Sequence, residues 1–363
     1  MNPRIVFTGG GTAGHVTPNL ALIEILQNSN WQIDYIGSEN GVEKSMISAL
    51  NIPYHAVSSG KLRRYFSWQN FLDPLKIFAG ITQAYCLLRK LKTDIVFSKG
   101  GFVAFPIVVA AWLHRIPVIA HESDMTPGLA NRLSFPFVDK ICLTFAAAKT
   151  HFKKQEKVEI TGTPIRSQLF KGSKAQGLAL CGFTADKPCI LVMGGSLGSA
   201  LLNTTVRQNL SVLCKNYQII HLCGKGKIDN TLLNKESYCQ LEYANEELAD
   251  LFAASDLVIS RAGANALCEI LALEKPHILI PLSAKVSRGD QIQNARYFKK
   301  QGISVVVEEE NLTSQSFLAA IDEINEHKVD IVAKIKALQI ESAALKIIAL
   351  LKEQMHVESP EIV

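Results

Sequence analysis

The sequence predicts an α/β chain with two doubly wound, parallel-sheet domains, and three observations carry that reading. Short apolar runs with strand character alternate with helical patterns from one end to the other. A strand, a glycine-rich turn and a helix follow one another at residues 5 to 27 and again at 189 to 213. The segment Asp94-Ile-Val-Phe-Ser-Lys-Gly-Gly is echoed by Asp256-Leu-Val-Ile-Ser-Arg-Ala-Gly, each followed by a proline and a new apolar strand, at Pro117 and Pro276.

In chain order, Ile5-Val-Phe runs into glycines and then a helix near Pro18, with Thr17 placed to cap it and the proline at its first position. Strands are expected at 33–36, 94–98, 117–120, 140–144 and 158–161. A second series is expected at 189–193, 218–222, 256–260, 277–280 and 303–307. The turn residues Thr161-Gly-Thr-Pro-Ile-Arg166 mark the junction between the series.

The length of 363 residues suits two domains at roughly 150 residues each. With 48% apolar and 20% charged residues, the chain is neither disordered nor collagen-like. Its longest apolar stretch, Gly100 to Leu113, contains Pro106 and is shorter than the roughly 20 residues a bilayer span needs. The opening residues lack the apolar core of a secretory signal, so the expectation is a cytoplasmic protein. Eight scattered cysteines form no Cys-x-x-Cys pair and read as reduced core filler.

Three turns carry chemistry. Gly9-Gly-Gly-Thr-Ala-Gly14 ends a strand and opens a helix, so backbone N–H groups and the helix dipole converge on an expected anion site. A dinucleotide reading needs an acid about 20 residues further on, but Asp34 lies within a strand and Glu39 past the next turn. His15 follows at the helix start, where the dipole disfavours imidazolium. It is either a base or a bystander bonded to the turn.

Gly194-Gly-Ser-Leu-Gly198 fits the Gly-x-Ser-x-Gly pattern of a hydrolase nucleophile, Ser196, with Asp256 and His277 as possible partners. No His-Gly-Gly segment precedes it, which favours a phosphate-binding turn. Arg261-Ala-Gly-Ala-Asn-Ala-Leu-Cys-Glu269 would present the amides of Ala264 and Asn265 at a helix start. Glu269 one turn later could accept both hydroxyls of a ribose, or be a surface carboxylate. A P-loop and an Asp-x-Asp metal pair are both absent from the sequence, so helix starts and bases must meet any leaving-group charge.

Between Lys61 and Lys92 lie seven bases and one acid, interleaved with aromatic residues. The pattern suits an anionic membrane surface, with single-stranded nucleic acid or a solvated face as alternatives.

Together, Gly9 to Pro18, Ser98-Lys-Gly-Gly-Phe-Val, His121-Glu-Ser, Thr161 to Arg166, Gly194 to Gly198 and Gly263 to Glu269 resemble the MurG family of peptidoglycan N-acetylglucosaminyltransferases. The resemblance runs from Ile5 to about residue 295. It implies a GT-B fold: two Rossmann-like domains facing across a cleft, the first comprising residues 1–163 plus 340–357, the second 164–339.

The implied reaction is inverting transfer of N-acetylglucosamine from its UDP derivative to the C4 hydroxyl of undecaprenyl-diphosphate-linked muramoyl-pentapeptide, lipid I to lipid II. His15 is then the general base. The donor contacts implied are Thr12, Ala13, Gly14, Asp124, Arg166, Ser196, Ala244, Gln291 and the turn Ala264, Asn265, Ala266, Leu267, Cys268 and Glu269, with Glu269 on the ribose. Lys61, Arg63, Arg64, Phe66, Trp68, Phe71 and Lys76 would hold the enzyme peripherally to the cytoplasmic face of the inner membrane. No cofactor, metal or nucleic acid is expected. Two departures stand out: Asp124 replaces an asparagine, and Asn265-Ala266 replaces a pair with a threonine hydroxyl. A UDP-sugar epimerase or non-catalytic binder on the same fold is the competing class.

Overall fold

A computed structural model describes residues 2–60, 69–195 and 197–356, the side chains of 69–72 and 356 excepted. The chain divides into two compact units, residues 1–166 with 342–363, and residues 167–341. Unit 1 holds the strands β1 (Arg4–Thr8), β2 (Gln32–Gly37), β3 (Tyr54–Ala56), β4 (Ile95–Ser98), β5 (Val118–Glu122), β6 (Lys140–Leu143) and β7 (Val158–Ile160). Unit 2 holds β8 (Cys189–Met193), β9 (Gln218–Leu222), β10 (Tyr238–Leu241), β11 (Leu257–Ser260), β12 (His277–Leu279) and β13 (Val305–Val306).

Both sheets are wholly parallel, with orders β3-β2-β1-β4-β5-β6-β7 and β10-β9-β8-β11-β12-β13. This is the Rossmann order in each unit. It reverses between β1 and β4 in the first sheet and between β8 and β11 in the second, where such folds open a crevice at the carboxyl ends of the strands. The edge strands β3 and β10 escape the sequence reading because each is short, three and four residues.

Period-two alternation builds the first unit's core on both faces of its sheet. Ile5, Phe7, Ile95, Phe97 and Ile119 point to one side, and Val6, Val96, Val118 and Ala120 to the other. The C-terminal helix Ala344–His356 lays Ile347, Ile348 and Leu351 onto the first of these faces. It is tied down where Ala343 N donates to Thr163 O and Lys346 Nζ to Ile160 O.

The echoed segments fall on β4 and β11, which hold the same place in their sheets. Asp94 Oδ2 accepts the amide of Arg4 at 2.7 Å, and Asp256 Oδ2 accepts that of Cys189 at 2.9 Å. Each carboxylate thus satisfies the first amide of the neighbouring strand, a strand-end donor that would otherwise rely on solvent.

Thr17 is not the cap of the first helix, which spans Thr17–Gln27 with Val16 in the capping position. The Thr17 hydroxyl instead donates back to Ala13 O at 3.1 Å, joining the helix to the 3-10 turn Ala13–His15. The cysteines are all free, but they are not uniformly core residues: Cys86 is exposed, while Cys142, Cys189, Cys223 and Cys268 are buried. Among the described residues no helix is long and apolar enough to cross a membrane.

Candidate active site

In unit 1 the loops after β1 and β4 meet at the point where the strand order reverses. The amide of Gly10 donates to Gly100 O at 3.3 Å, stitching the two loops together. His15 ends the 3-10 turn with its Nδ1 3.1 Å from Thr12 Oγ1 and 3.3 Å from where a Cβ on Gly101 would stand. Thr12 and Gly14 are exposed, while Ala13 and His15 are half-buried.

Two amides of the glycine turn, where an anion site was expected, have acceptors within the chain. Glu43, from the helix Val42–Ser48, accepts the Gly11 amide at 3.2 Å. With Gly10 bonded to Gly100 and Gly11 to Glu43, the turn is filled by the chain's own carboxylate. A dinucleotide reading loses its acid as well, because Asp34 is engaged by His55 Nε2 at 2.8 Å and by Arg4 at 3.7 Å.

The loop after β5 carries Asp124 and is organised by a buried carboxylate. Glu122 accepts the amides of Asp124 and Gly128 at 3.0 and 3.1 Å, and Asn131 Nδ2 at 2.8 Å. Lys99, after β4, is buried and donates to Ser123 Oγ. Burial and the Lys99 charge hold the His121 imidazole well below its usual pKa, and its Nε2 lies 2.9 Å from Gly162 O. A neutral ring there donates from Nε2. Arg166, the last residue of unit 1 before the chain passes to unit 2, is half-buried.

Unit 2 is arranged differently at the equivalent point. The helix Ala264–Ala272 follows β11, and its first intrahelical bond runs from Leu267 N to Gly263 O at 3.0 Å. The amides of Ala264, Asn265 and Ala266 therefore lie ahead of the helical ladder, at the positive end of the dipole. Leu267 and Cys268 are buried within the same turn. Glu269 is 8% exposed, which rules out a solvated surface carboxylate.

The turn after β8 is bent by Gly198 (φ +64°), where a side chain would run into Cys223 O. Lys227 Nζ donates to Leu197 O at 2.7 Å and Gly198 O at 3.3 Å, bringing a cation to this turn. Gln291 Oε1 accepts Leu282 N at 3.0 Å, so the side-chain group it can offer is its amide NH₂. Ala244 is half-buried next to the exposed Tyr243.

Sequence reasoning passed over Arg261 as a structural anchor. Its guanidinium donates to Ile280 O at 3.1 Å and Ser199 Oγ at 2.6 Å and pairs with Glu309, whose other oxygen accepts Ser283 N at 2.8 Å. The available signal was the echo itself, since Arg261 stands where the first copy has Lys99. Glu43 and Lys227 left no motif, and Glu122 stood within His121-Glu-Ser without a role assigned to it.

The hydrolase reading fails on geometry. Asp256 precedes β11 and His277 begins β12, so both lie at the amino ends of strands, whereas the turn after β8 lies at a carboxyl end. A strand of this length separates its ends by roughly 10 to 15 Å. His277 is also fully engaged, with Nδ1 2.8 Å from Lys275 O and Nε2 2.6 Å from Ser304 Oγ. Among the described residues no group of three or more His, Cys, Asp or Glu is gathered that could hold a metal ion.

Ser196, Lys61, Arg63, Arg64, Phe66 and Trp68 lie outside the described residues, as does the side chain of Phe71. Lys76 is exposed on the helix Gln69–Leu91.

Residues 5–143 match the glycosyltransferase family 28 N-terminal domain and residues 189–351 the family 28 C-terminal domain. A relative from Legionella pneumophila (strain Paris) is 64% identical over 363 residues, all of both chains; it is named UDP-N-acetylglucosamine--N-acetylmuramyl-(pentapeptide) pyrophosphoryl-undecaprenol N-acetylglucosamine transferase. A relative of the same name from Clostridium tetani (strain Massachusetts / E88) is 50% identical over 353 residues, 97% of this chain and 98% of its own. Among solved structures, Acinetobacter baumannii MurG aligns with a TM-score of 0.75 at 24% identity, covering 97% of this chain and 99% of that one. A UDP-N-acetylglucosamine 2-epimerase aligns at 0.60 and 13% identity over 100% of both chains. At those identities the two structures speak to the fold alone, which an epimerase shares.

Proposed function

Because the chain belongs to glycosyltransferase family 28, we infer that it transfers N-acetylglucosamine from UDP-N-acetylglucosamine to undecaprenyl-diphosphate-linked N-acetylmuramoyl-pentapeptide, the lipid I to lipid II step of peptidoglycan synthesis. The observation that carries this reading is identity to a relative of that name along the entire chain, 64% over 363 residues. The contrast between the two glycine-rich crevices supports it further. The unit 2 crevice offers helix-start amides, Lys227 and a buried acid to a nucleotide diphosphate, while the unit 1 turn holds an internal carboxylate and presents His15.

In the proposed mechanism, the acceptor C4 oxygen attacks the anomeric carbon of the donor sugar as the bond from that carbon to UDP breaks. The bonding pair leaves with the β-phosphate, the anomeric centre inverts, and the hydroxyl proton passes to His15. Nε2 is the receiving atom, with Nδ1–H donating to Thr12 Oγ1 across the 3.1 Å contact. The amides of Ala264 to Ala266, with Arg166, Ser196, Lys227 and Gln291, meet the leaving diphosphate, and Glu269 accepts the ribose hydroxyls. Thr12, Ala13, Gly14, Asp124, Ala244 and the backbone at Leu267 and Cys268 complete the donor surroundings. In this reading helix starts and bases, rather than a metal ion, stabilise the departing charge.

Peripheral attachment to an anionic membrane on its cytoplasmic face belongs to the same proposal. Leu75 and Phe78 are 67% and 71% exposed beside Lys76, and Trp112 and Leu113 are exposed on the helix Ala104–Leu113. The two helices share one core through Ala84, Leu88, Ile107 and Val108. Of the basic window 61–92, Lys76, Arg89 and Lys90 lie on the first of these helices and Lys92 directly after it.

The test is incubation with labelled UDP-N-acetylglucosamine and the lipid-linked muramoyl acceptor in EDTA. Label should enter the lipid and UDP should appear only when acceptor is present. Scrambling of the sugar without acceptor would instead assign the chain to the epimerase class, and loss of turnover in the chelator would reject metal-free catalysis.

A further inference from the structure

Glu43 is wholly buried and belongs to none of the motifs. Its Oε2 accepts the Gly11 amide at 3.2 Å, and its Oε1 accepts the Ser38 amide at 3.0 Å and the Ser38 hydroxyl at 2.5 Å. Two glycines make the space for it. A Cβ at Gly10 would sit 2.5 Å from the carboxyl carbon, and one at Gly41 would overlap the group outright. The carboxylate thus bridges the loop after β1 to the loop after β2, each of which follows a neighbouring strand of the sheet.

We propose that Glu43 is a positioning residue for His15: an internal anion that fills the glycine turn and fixes the loop on which the base is carried. The inference rests on the reading of His15 as the base. The connection is short and covalent along most of its length. Glu43 holds the amide of Gly11, Gly11 precedes Thr12, and Thr12 contacts His15 twice, through its hydroxyl at Nδ1 and through its carbonyl, which accepts the His15 amide at 3.1 Å.

A glycine-rich loop is otherwise the softest backbone in the unit, because glycine has the largest conformational freedom to lose on ordering. An acceptor with two oxygens, both engaged and shielded from water, removes that freedom at the residue beside Thr12.

Steady-state kinetics on Glu43→Gln, His15→Ala and the double variant test the proposal. Glutamine presents one oxygen and one NH₂ where two acceptors are needed, so the loop loses an anchor. The expectation for Glu43→Gln is a kcat lowered roughly 100-fold, as for a catalytic group displaced by about 1 Å, with the KM for UDP-N-acetylglucosamine within about twofold. In the His15→Ala background the same change should cost less than about threefold, because residues that act as a unit are not additive.

An equal loss in both backgrounds, a kcat within about threefold of wild type, or a parallel rise in donor KM overturns the assignment of Glu43. A His15→Ala protein with wild-type kcat rejects the reading of His15 instead, and with it this proposal. If Glu43→Gln does not fold, Ser38→Ala removes one donor to the carboxylate while retaining the Ser38 amide. It should lower kcat about three- to tenfold without changing donor KM and lose that effect in the His15→Ala background; any other pattern overturns the proposal.

Discussion

Thr12 Oγ1 lies 3.1 Å from Nδ1 of His15, three residues further along the same turn. The contact leaves Nε2 as the ring nitrogen that can take a proton, provided Nδ1 carries hydrogen and the threonine oxygen accepts it. Replacing His15 with alanine should lower kcat by about 10²- to 10⁴-fold with little change in UDP affinity. Thr12→Val keeps the shape but removes the acceptor, and should lower kcat by roughly tenfold through the wrong tautomer. Parallel loss of UDP binding in either variant, read by calorimetry, would place the residue in donor binding instead.

Glu269 is buried one turn beyond the helix-start amides of Ala264 to Ala266. If its carboxylate accepts ribose hydroxyls, Glu269→Gln should raise the KM for UDP-N-acetylglucosamine by about 10- to 100-fold, the range for a lost hydrogen bond to a charged group. Competition by free UDP should weaken by the same factor. A normal inhibition constant for UDP in a folded variant would remove Glu269 from the ribose.

Arg261 and Glu309 form a pair with side chains 10% and 14% exposed. Removing one partner leaves the other buried and uncompensated, so Glu309→Gln and Arg261→Met should each destabilise unit 2 by about 3 to 5 kcal/mol. The double variant should cost less than the sum. Urea unfolding followed by circular dichroism measures all three, and additive losses would show that the pair is not coupled.

Burial depresses the pKa of His221 to about 3, aided by the Arg207 charge, and that of His277 to about 4. Both folded values lie below the unfolded value of about 6.5, so below that pH the unfolded chain binds protons that the folded chain refuses. Their stability contribution is complete above pH 6.5. It falls by about 1.4 kcal/mol per pH unit for each histidine as the pH drops toward 4. His277→Asn should flatten the pH dependence of the unfolding free energy between about pH 6 and 4.5 by close to one proton. An unchanged slope would show that His277 does not titrate between the two states.

Leu75 and Phe78 project large apolar surfaces beside Lys76. Leu75→Ser with Phe78→Ser should cut co-sedimentation with acidic phospholipid vesicles by roughly tenfold or more, from the apolar area no longer buried. Turnover of a water-soluble acceptor analogue should be unaffected. Vesicle binding indifferent to both the substitution and acidic lipid would leave this face solvated.

The alternation of apolar runs with helical patterns and the glycine turns made both parallel sheets legible, because each central strand is buried on two faces and reads as a continuous run such as Cys189-Ile-Leu-Val-Met. The edges were not legible. Tyr54-His-Ala and Tyr238-Cys-Gln-Leu are half-covered, and their strand character comes from pairing with a neighbour rather than from pattern. The helix-start amides at Ala264 to Ala266 were legible because a glycine, small residues and a strand before them suffice to place such a turn.

What sequence alone determined was local: which segments become strands, where turns interrupt them, and that two glycine-rich turns of similar spelling would sit at the ends of β1 and β8. What only the tertiary structure decided was how those turns are filled. Glu43 enters the first from the next helix, Lys227 reaches the second from the loop after β9, and Glu309 joins Arg261 across 48 residues of chain. A backbone motif specifies where donors point. The charge that meets them comes from residues distant in sequence, brought near by packing that no local pattern encodes.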